Sequence, residues 1–287
     1  MALTMKGAPV ASAITEALLP RVKALQLRGI VPCLAILRVG ERADDLAYER
    51  GALKRCEKVG IAVRQFLLPA DVSQETLLET IGTINRDDDI HGCLMFRPLP
   101  AHLDEHAICA ALSPEKDVDG ITAGSMAKIY SGTGSGYSPC TAQSCMELLR
   151  YYGIEVSGKR VAVLGRSLVI GRPAARLLMA ADGTVTVCHT KTQDLPWIVR
   201  EAEIVVVAIG HAEAIGPAYF TSGQTVVDIG INWSEAKQKL VGDVDYEWVE
   251  PLVAAITPVP SGVGSVTTAV LCKHVIEAAE NAASVKK

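Results

Sequence analysis

The segment Val161-Ala-Val-Leu-Gly165-Arg-Ser-Leu-Val-Ile-Gly171-Arg-Pro173 runs apolar strand, glycine, short loop, glycine, helix start. Such a turn aims main-chain N–H groups and a helix N-terminus at one point, where a pyrophosphate can be held. Only Gly165 and Gly171 are present, with five residues between them. The pattern is therefore not the G-x-G-x-x-G fingerprint, and an ordinary βα turn stays open beside nucleotide binding. The following strand bears on which nucleotide. NAD-binding folds usually carry Asp or Glu about 20 residues beyond the turn, to accept from the ribose 2′-hydroxyl. Here Val185–Thr192 reads VTVCHTKT, with no acid but with His189, Thr190 and Lys191 at its end. Those groups, with Arg166, suit a 2′-phosphate and predict NADP; a solvated strand end is the plain alternative.

Other spacings suggest chemistry more weakly. His102-Leu-Asp-Glu105-His106 has the H-x-x-E-H order of one metalloprotease class, yet a third ligand and a protease framework are missing. A solvated helix face is the better expectation, and no metal is predicted. Asp117 and Asp119 alternate in Lys-Asp-Val-Asp-Gly, so in extended chain both face one side. None of the eight cysteines forms a Cys-x-x-Cys pair, and most lie in apolar stretches, so buried free thiols are expected, Cys140 and Cys145 among them.

These residues need a scaffold, and the pattern supplies an α/β one. Cys33–Val39 is a near-continuous apolar run, as in a strand buried on both faces. Arg42–Val59 has helical apolar spacing, with Gly60 as its stop. Ile61–Leu68 reads as a strand, Ser73–Asn85 as a helix capped by Ser73, and Gly92–Phe96 as a short strand ended by Arg97-Pro-Leu-Pro100. Beyond the polar, glycine-rich stretch 131–138, a helix starts near Thr141. Strands are then expected at Val161–Leu164, Thr184–Cys188, Ile204–Ile209 and Thr225–Ile229, and helices at Arg172–Ala180, Trp197–Ala202 and Thr267–Ala283. Strands alternating with helices mean parallel sheets, the second of the doubly wound, Rossmann-like kind. The expected domains are 1–138 with the terminal helix 267–287, and 139–266.

The 287 residues suit about two domains. With 49% hydrophobic and 21% charged residues, disorder is not expected. A net charge of −4 gives no electrostatic case for a nucleic-acid partner. Apolar runs such as Ile204–Ile209 fall far short of the roughly 20 residues a bilayer requires, and no signal peptide is read in the first residues. A cytoplasmic protein without a membrane partner is expected.

The segments Pro114-Glu-Lys-Asp-Val-Asp-Gly120, Pro139-Cys-Thr141, Gly165-Arg-Ser167, Gly242-Asp-Val-Asp245, Thr257-Pro-Val-Pro260 and Gly262-Val-Gly264 occur in order at fitting distances. With them the chain resembles, from end to end, the FolD family of bifunctional methylenetetrahydrofolate dehydrogenase/cyclohydrolases. The resemblance implies two α/β domains around a cleft and a homodimer built through the cofactor domains. It also implies NADP-dependent oxidation of 5,10-methylene-tetrahydrofolate, then hydrolysis of the methenyl cation to 10-formyl-tetrahydrofolate. By resemblance, Tyr48 stacks on the folate, Asp119 bonds the pterin ring and Gly264 lies in a turn approaching substrate. Arg166, Ser167 and Thr190 match cofactor-phosphate positions, and Ile231, after Asp228-Ile-Gly230, stands near the nicotinamide.

Departures from the family pattern are concentrated in one place. The expected Tyr-x-x-x-Lys reads Tyr48-Glu-Arg-Gly-Ala52, and Phe96 stands where a glutamine belongs. Asp45 replaces a common serine, and the usual Pro-Gly-Gly-Val-Gly-Pro reads Pro260-Ser-Gly-Val-Gly-Ser265. Hydrolysis of the cation requires proton shuttling, to which general acid–base groups contribute roughly 10²–10⁴-fold. Neither Ala52 nor Phe96 can supply it. Hydride loss chiefly needs alignment with the nicotinamide. The expectation is a dehydrogenase with weak or absent cyclohydrolase, unless Arg50, Arg97 or Lys116 reaches in. Two readings stand beside it: an NADP-linked oxidoreductase acting on another iminium or pterin-like compound, and a catalytically silent paralogue that binds cofactor.

Overall fold

The computed structural model describes residues 2–285. The chain opens with β1 (Leu3–Thr4), α1 (Gly7–Gln26), β2 (Cys33–Val39), α2 (Ala43–Val59), β3 (Ala62–Leu68), α3 (Gln74–Arg86) and β4 (Gly92–Met95). Next come α4 (Glu105–Ala111), α5 (Ala123–Ser131), α6 (Cys140–Tyr151), β5 (Arg160–Leu164), α7 (Gly171–Ala180), β6 (Thr184–Cys188) and α8 (Leu195–Glu201). It continues through β7 (Ile204–Val207), β8 (Thr225–Asp228), β9 (Asn232–Ser234), β10 (Lys239–Val241), α9 (Tyr246–Val249), β11 (Ala255–Ile256) and α10 (Thr267–Val285). The expected strands and helices are all found, with ends shifted by a few residues. Among the described residues no helix is long and apolar enough to cross a membrane.

The residues divide into two units, one of Ser12–Cys140 with the chain from Thr268 onward, the other of the chain up to Ala11 with Thr141–Thr267. The first unit holds a parallel three-stranded sheet in the order β3-β2-β4. Its central strand is buried at every position, because neighbours flank it on both sides and helices cover both faces. Leu37 and Met95 pack with Leu77, Ile81 and Ile84 of α3 and Ile108 of α4. On α10, Cys272 lies 3.9 Å from Cys56 of α2, and Glu280 pairs with Arg21 of α1 at 2.6 Å. Local signals end the elements where the sequence predicts. Gly60 takes the left-handed conformation (φ 88°) and its N–H donates to the Cys56 carbonyl at 2.9 Å, while Ser73 Oγ accepts from Thr76 N at 3.2 Å.

The second unit holds a parallel six-stranded sheet, β1-β11-β8-β7-β5-β6, and an antiparallel pair, β9 and β10. Its core combines Leu164, Val205, Val207 and Val226 with Phe220 and Val249. Two features differ from the sequence expectation. The division falls after Cys140 rather than after Ser138, and the first eleven residues group with the nucleotide-type unit. The reason is β1, whose Leu3 and Thr4 pair with Ala255 and Ile256 of β11. Residues 286 and 287 of the expected terminal helix lie outside the described residues.

Candidate active site

Within the first unit, α2 leaves the carboxyl end of β2 and presents Asp45, Tyr48, Glu49 and Ala52. Ala52 is fully buried and Tyr48 half-buried. Phe96, just past β4, is 9% exposed, and its ring meets Tyr48 edge-on at 6.0 Å between centroids and 82° between planes. The side chain opposite Tyr48 is therefore apolar, where a glutamine would offer an amide. Of the three side chains named above as substitutes for the absent lysine, two are engaged elsewhere. Lys116 Nζ donates to the carbonyls of Ile84 (2.7 Å) and Asp87 (2.6 Å), Arg97 pairs with Glu105 at 3.5 Å, and Arg50 is exposed. A buried ion pair lies behind this face: Arg38 Nε donates to Glu49 Oε2 at 2.7 Å, and Gln65 Nε2 to Glu49 Oε1 at 2.5 Å. Burial raises the Asp45 carboxyl above its ordinary range.

Asp117 and Asp119 do not lie in extended chain: a short 3-10 helix, Pro114–Lys116, ends at Asp117, and the chain turns through Val118 and Asp119 so that Gly120 N donates to the Asp117 carbonyl at 3.2 Å. Asp117 is fully buried and its carboxylate accepts from Ile121 N (2.9 Å), Thr122 N (2.7 Å) and Ser125 Oγ (2.5 Å), which fixes the turn into α5. Asp119 is partly exposed as a residue, yet burial pushes its carboxyl up to about 6, against hydrogen bonding from Cys140. Cys140 also donates to the Val118 carbonyl at 3.3 Å, beside His274 Nδ1, which bonds the same carbonyl at 2.9 Å. Tyr137 packs on the His274 ring at 5.1 Å. The sequence marks Cys140 only through Pro139-Cys-Thr141, and nothing marks His274, 134 residues further on.

In the second unit, β5 enters the glycine turn. Gly165 has φ 113°, and a Cβ there would stand 2.1 Å from the Ala208 carbonyl oxygen; one at Gly171 would stand 2.2 Å from the Gly165 oxygen. Ser167 Oγ accepts from Ile170 N (3.1 Å) and Gly171 N (3.4 Å) at the start of α7, and Arg166 and Ser167 are exposed. Gly165 N donates to the Cys188 carbonyl at 2.9 Å, so the turn adjoins the end of β6, where His189, Thr190 and Lys191 follow. His189 Nδ1 accepts from Lys191 N at 3.1 Å. Exposed cationic and hydroxyl groups with no acid beside a glycine turn fit a phosphorylated dinucleotide. Gly264 lies in a turn against Ile231, whose Cδ1 would be 3.2 Å from a Cβ added there, and Ile231 is 59% exposed. Sequence reasoning missed the support of this loop. Asp243 accepts from Ile209 N, Gly210 N, His211 N and Asn232 Nδ2 at 2.6–3.0 Å, and Asp228 from Gly230 N, Asp243 N and Val244 N at 2.9–3.1 Å.

His102 and His106 do not share a helix, since α4 begins at Glu105; His102 Nε2 donates to the Val72 carbonyl at 2.9 Å. Among the described residues no group of three or more His, Cys, Asp or Glu is placed to hold a metal ion. All eight cysteines are buried free thiols.

The two α/β units, one built around a dinucleotide-type turn and the other around a half-buried tyrosine and a buried carboxyl, define a two-domain α/β protein of the nicotinamide-cofactor class. Family comparison makes this specific. Residues 5–119 match the tetrahydrofolate dehydrogenase/cyclohydrolase catalytic domain, and residues 139–283 match the NAD(P)-binding domain of the same name. The chain belongs to this family. It is 50% identical over 281 residues to the bifunctional protein FolD of Carboxydothermus hydrogenoformans, covering 98% of both chains. Among solved structures it is similar to the bifunctional FolD of Campylobacter jejuni (37% identity, TM-score 0.94, 98% and 99% of the two chains). It is also similar to the Trypanosoma brucei enzyme complexed with NADP and an inhibitor (35% identity, TM-score 0.91, 100% and 99%).

Proposed function

We propose that this chain oxidises 5,10-methylene-tetrahydrofolate to the methenyl cation with NADP, and that it hydrolyses that cation weakly or not at all. Arg166, Ser167, His189 and Thr190 would hold the cofactor's phosphates beside Gly165 and Gly171, with Ile231 against its nicotinamide end. Bound NADP supplies the hydride acceptor. Tyr48 offers a ring face to the pterin or aminobenzoyl plane, and Asp119 a carboxyl to its ring nitrogens. The carboxyl, raised to about 6, is ionised at neutral pH and accepts from those N–H groups. Such positioning serves hydride departure, which needs no proton transfer.

The observation that carries the reading is the pairing of buried Ala52 with Phe96 against Tyr48. Water attack on the cation requires a group that takes and returns protons, and neither Ala52 nor Phe96 can do so. Lys116 and Arg97 are engaged elsewhere, and an arginine hardly deprotonates. Steady-state assays of both half-reactions test it. NADP reduction with negligible methenyl hydrolysis is expected; hydrolysis at a rate matching NADP reduction refutes it. Calorimetric titration with NADP and with a folate separates the alternatives, since cofactor binding without folate binding favours a different substrate. The reading includes a homodimer, supported by β6, an edge strand with Val187 39% exposed; sedimentation equilibrium tests it.

A further inference from the structure

Asp45 plays no part in the reading above, yet it is only 6% exposed, and no described residue donates a hydrogen bond to its carboxylate. Its charged neighbours are Arg42, Asp44, Arg38 and Glu49. Arg38 is committed to Glu49 and to the Gly40 carbonyl, and the other Glu49 oxygen to Gln65. Arg42 is exposed, its guanidinium turned to the Pro98 carbonyl at 3.2 Å. Arg38 and Glu49 answer each other, which leaves exposed Arg42 as the main cation facing the Asp45 carboxylate. Buried charges are paired or meet a ligand. Favouring the helix dipole does not explain it, since exposed Asp44 in the same first turn does so without desolvation.

Position suggests what would meet it. Asp45, Tyr48 and Ala52 are spaced three and four apart, so they line one face of α2, and Lys54 stands about 180° from Asp45. The face lies at the carboxyl end of the parallel sheet, just past β2 and beside Phe96 after β4, where open α/β sheets bind ligands. It holds an aromatic ring, apolar groups and a carboxylate to which no described residue donates a hydrogen bond. That is the wall of a site for a flat, positively charged molecule.

We propose that Asp45 is the cation-recognising residue of this site, its carboxylate attracting the positive charge that appears on the substrate as hydride leaves. This rests on the dehydrogenase reading. The C–H bond of the methylene bridge breaks, both electrons pass with the hydrogen to the nicotinamide ring of NADP, and a C–H bond forms there. The bridge carbon is left sharing one positive charge over its two nitrogens; no proton is released. Asp45 forms no covalent bond. It favours the charged product over neutral folates, and it lowers the barrier to the extent that charge has developed in the transition state.

The test uses the full chain as wild type, Asp45→Asn and Asp45→Ser, with 5,10-methenyl-tetrahydrofolate as the cationic probe and 5-formyl-tetrahydrofolate as the uncharged-bridge control. Wild type is expected to bind the methenyl compound about tenfold more tightly than the control, with the preference shrinking in high salt. Both variants are expected to lose about tenfold for the cation, with binding of the control changed less than about threefold, and to turn over more slowly. Equal losses for both ligands, or no loss, overturn the proposal. So does a wild type without the preference, which needs no variant to fold. Failure of the dehydrogenase reading shows separately, as wild type that reduces no NADP at any substrate concentration.

Discussion

Replacing Asp119 by asparagine should cost activity and gain stability, and the gain should depend on pH in a calculable way. Burial raises the Asp119 carboxyl from 3.8 to about 6 in the folded chain, the Cys140 contact opposing the shift. Between those values the unfolded chain has released the proton while the native one retains it, so stability falls as pH rises. The loss is absent below 3.8 and complete above about 6, where it amounts to about 3 kcal/mol at 1.36 kcal/mol per pH unit. Asparagine carries no charge and escapes it, but weakens the contact with Cys140, costing about 1 kcal/mol. The net gain at pH 8 is about 2 kcal/mol, or about 4–8 °C in Tm for a domain of this size. At pH 4 the gain should vanish or reverse. Thermal unfolding at the two pH values, with NADP reduction measured alongside, makes the check; kcat/KM should fall about 10²-fold. A variant no more stable than wild type at pH 8, or equally stabilised at both pH values, would refute the reasoning.

Gly165→Ala should remove at least about 2 kcal/mol of stability and most NADP affinity, because its Cβ would stand 2.1 Å from a carbonyl oxygen at φ 113°; melting curves and fluorescence titration read both. Truncating one partner of the buried Arg38–Glu49 pair, as in Glu49→Ala, should cost about 3–5 kcal/mol in urea unfolding, and Arg38→Met with Glu49→Leu much less. Arg166→Gln should raise KM for NADP about tenfold and leave KM for NAD nearly unchanged, since only the former offers a 2′-phosphate to a guanidinium. Ala52→Lys with Phe96→Gln should raise methenyl hydrolysis by about 10²-fold, read as loss of the cation's absorbance.

The strands and helices that announced themselves did so through period and punctuation. Cys33–Val39 is apolar throughout because it is the middle strand of three, and Gly60 ends α2 because the left-handed conformation suits glycine. The two-residue strands β1 and β11 carry no period to read, so their pairing, which moves the first eleven residues into the other unit, was invisible. Tyr48, Ala52 and Phe96 could be singled out from sequence, but not that Phe96 packs edge-on against Tyr48. Spacing alone makes Asp117 and Asp119 equivalent in an extended chain, and the family resemblance assigns the substrate contact to Asp119. Only the turn separates a carboxylate saturated by its own backbone from one raised by burial. Contacts such as Cys140 with His274 join residues far apart in the chain, and no local pattern encodes them.

Neither unit is a contiguous stretch of polypeptide, and this constrains how the chain is made. The sheet formed by β3, β2 and β4 leans on α10, whose Val275 side chain would lie 3.2 Å from a Cβ at Gly92. A ribosome adding about 5–20 residues per second therefore releases β2, α2 and β4 many seconds before the helix that covers them exists. During that interval the nascent segment exposes apolar surface that only a later part of the message can bury, a natural point of engagement for holding chaperones.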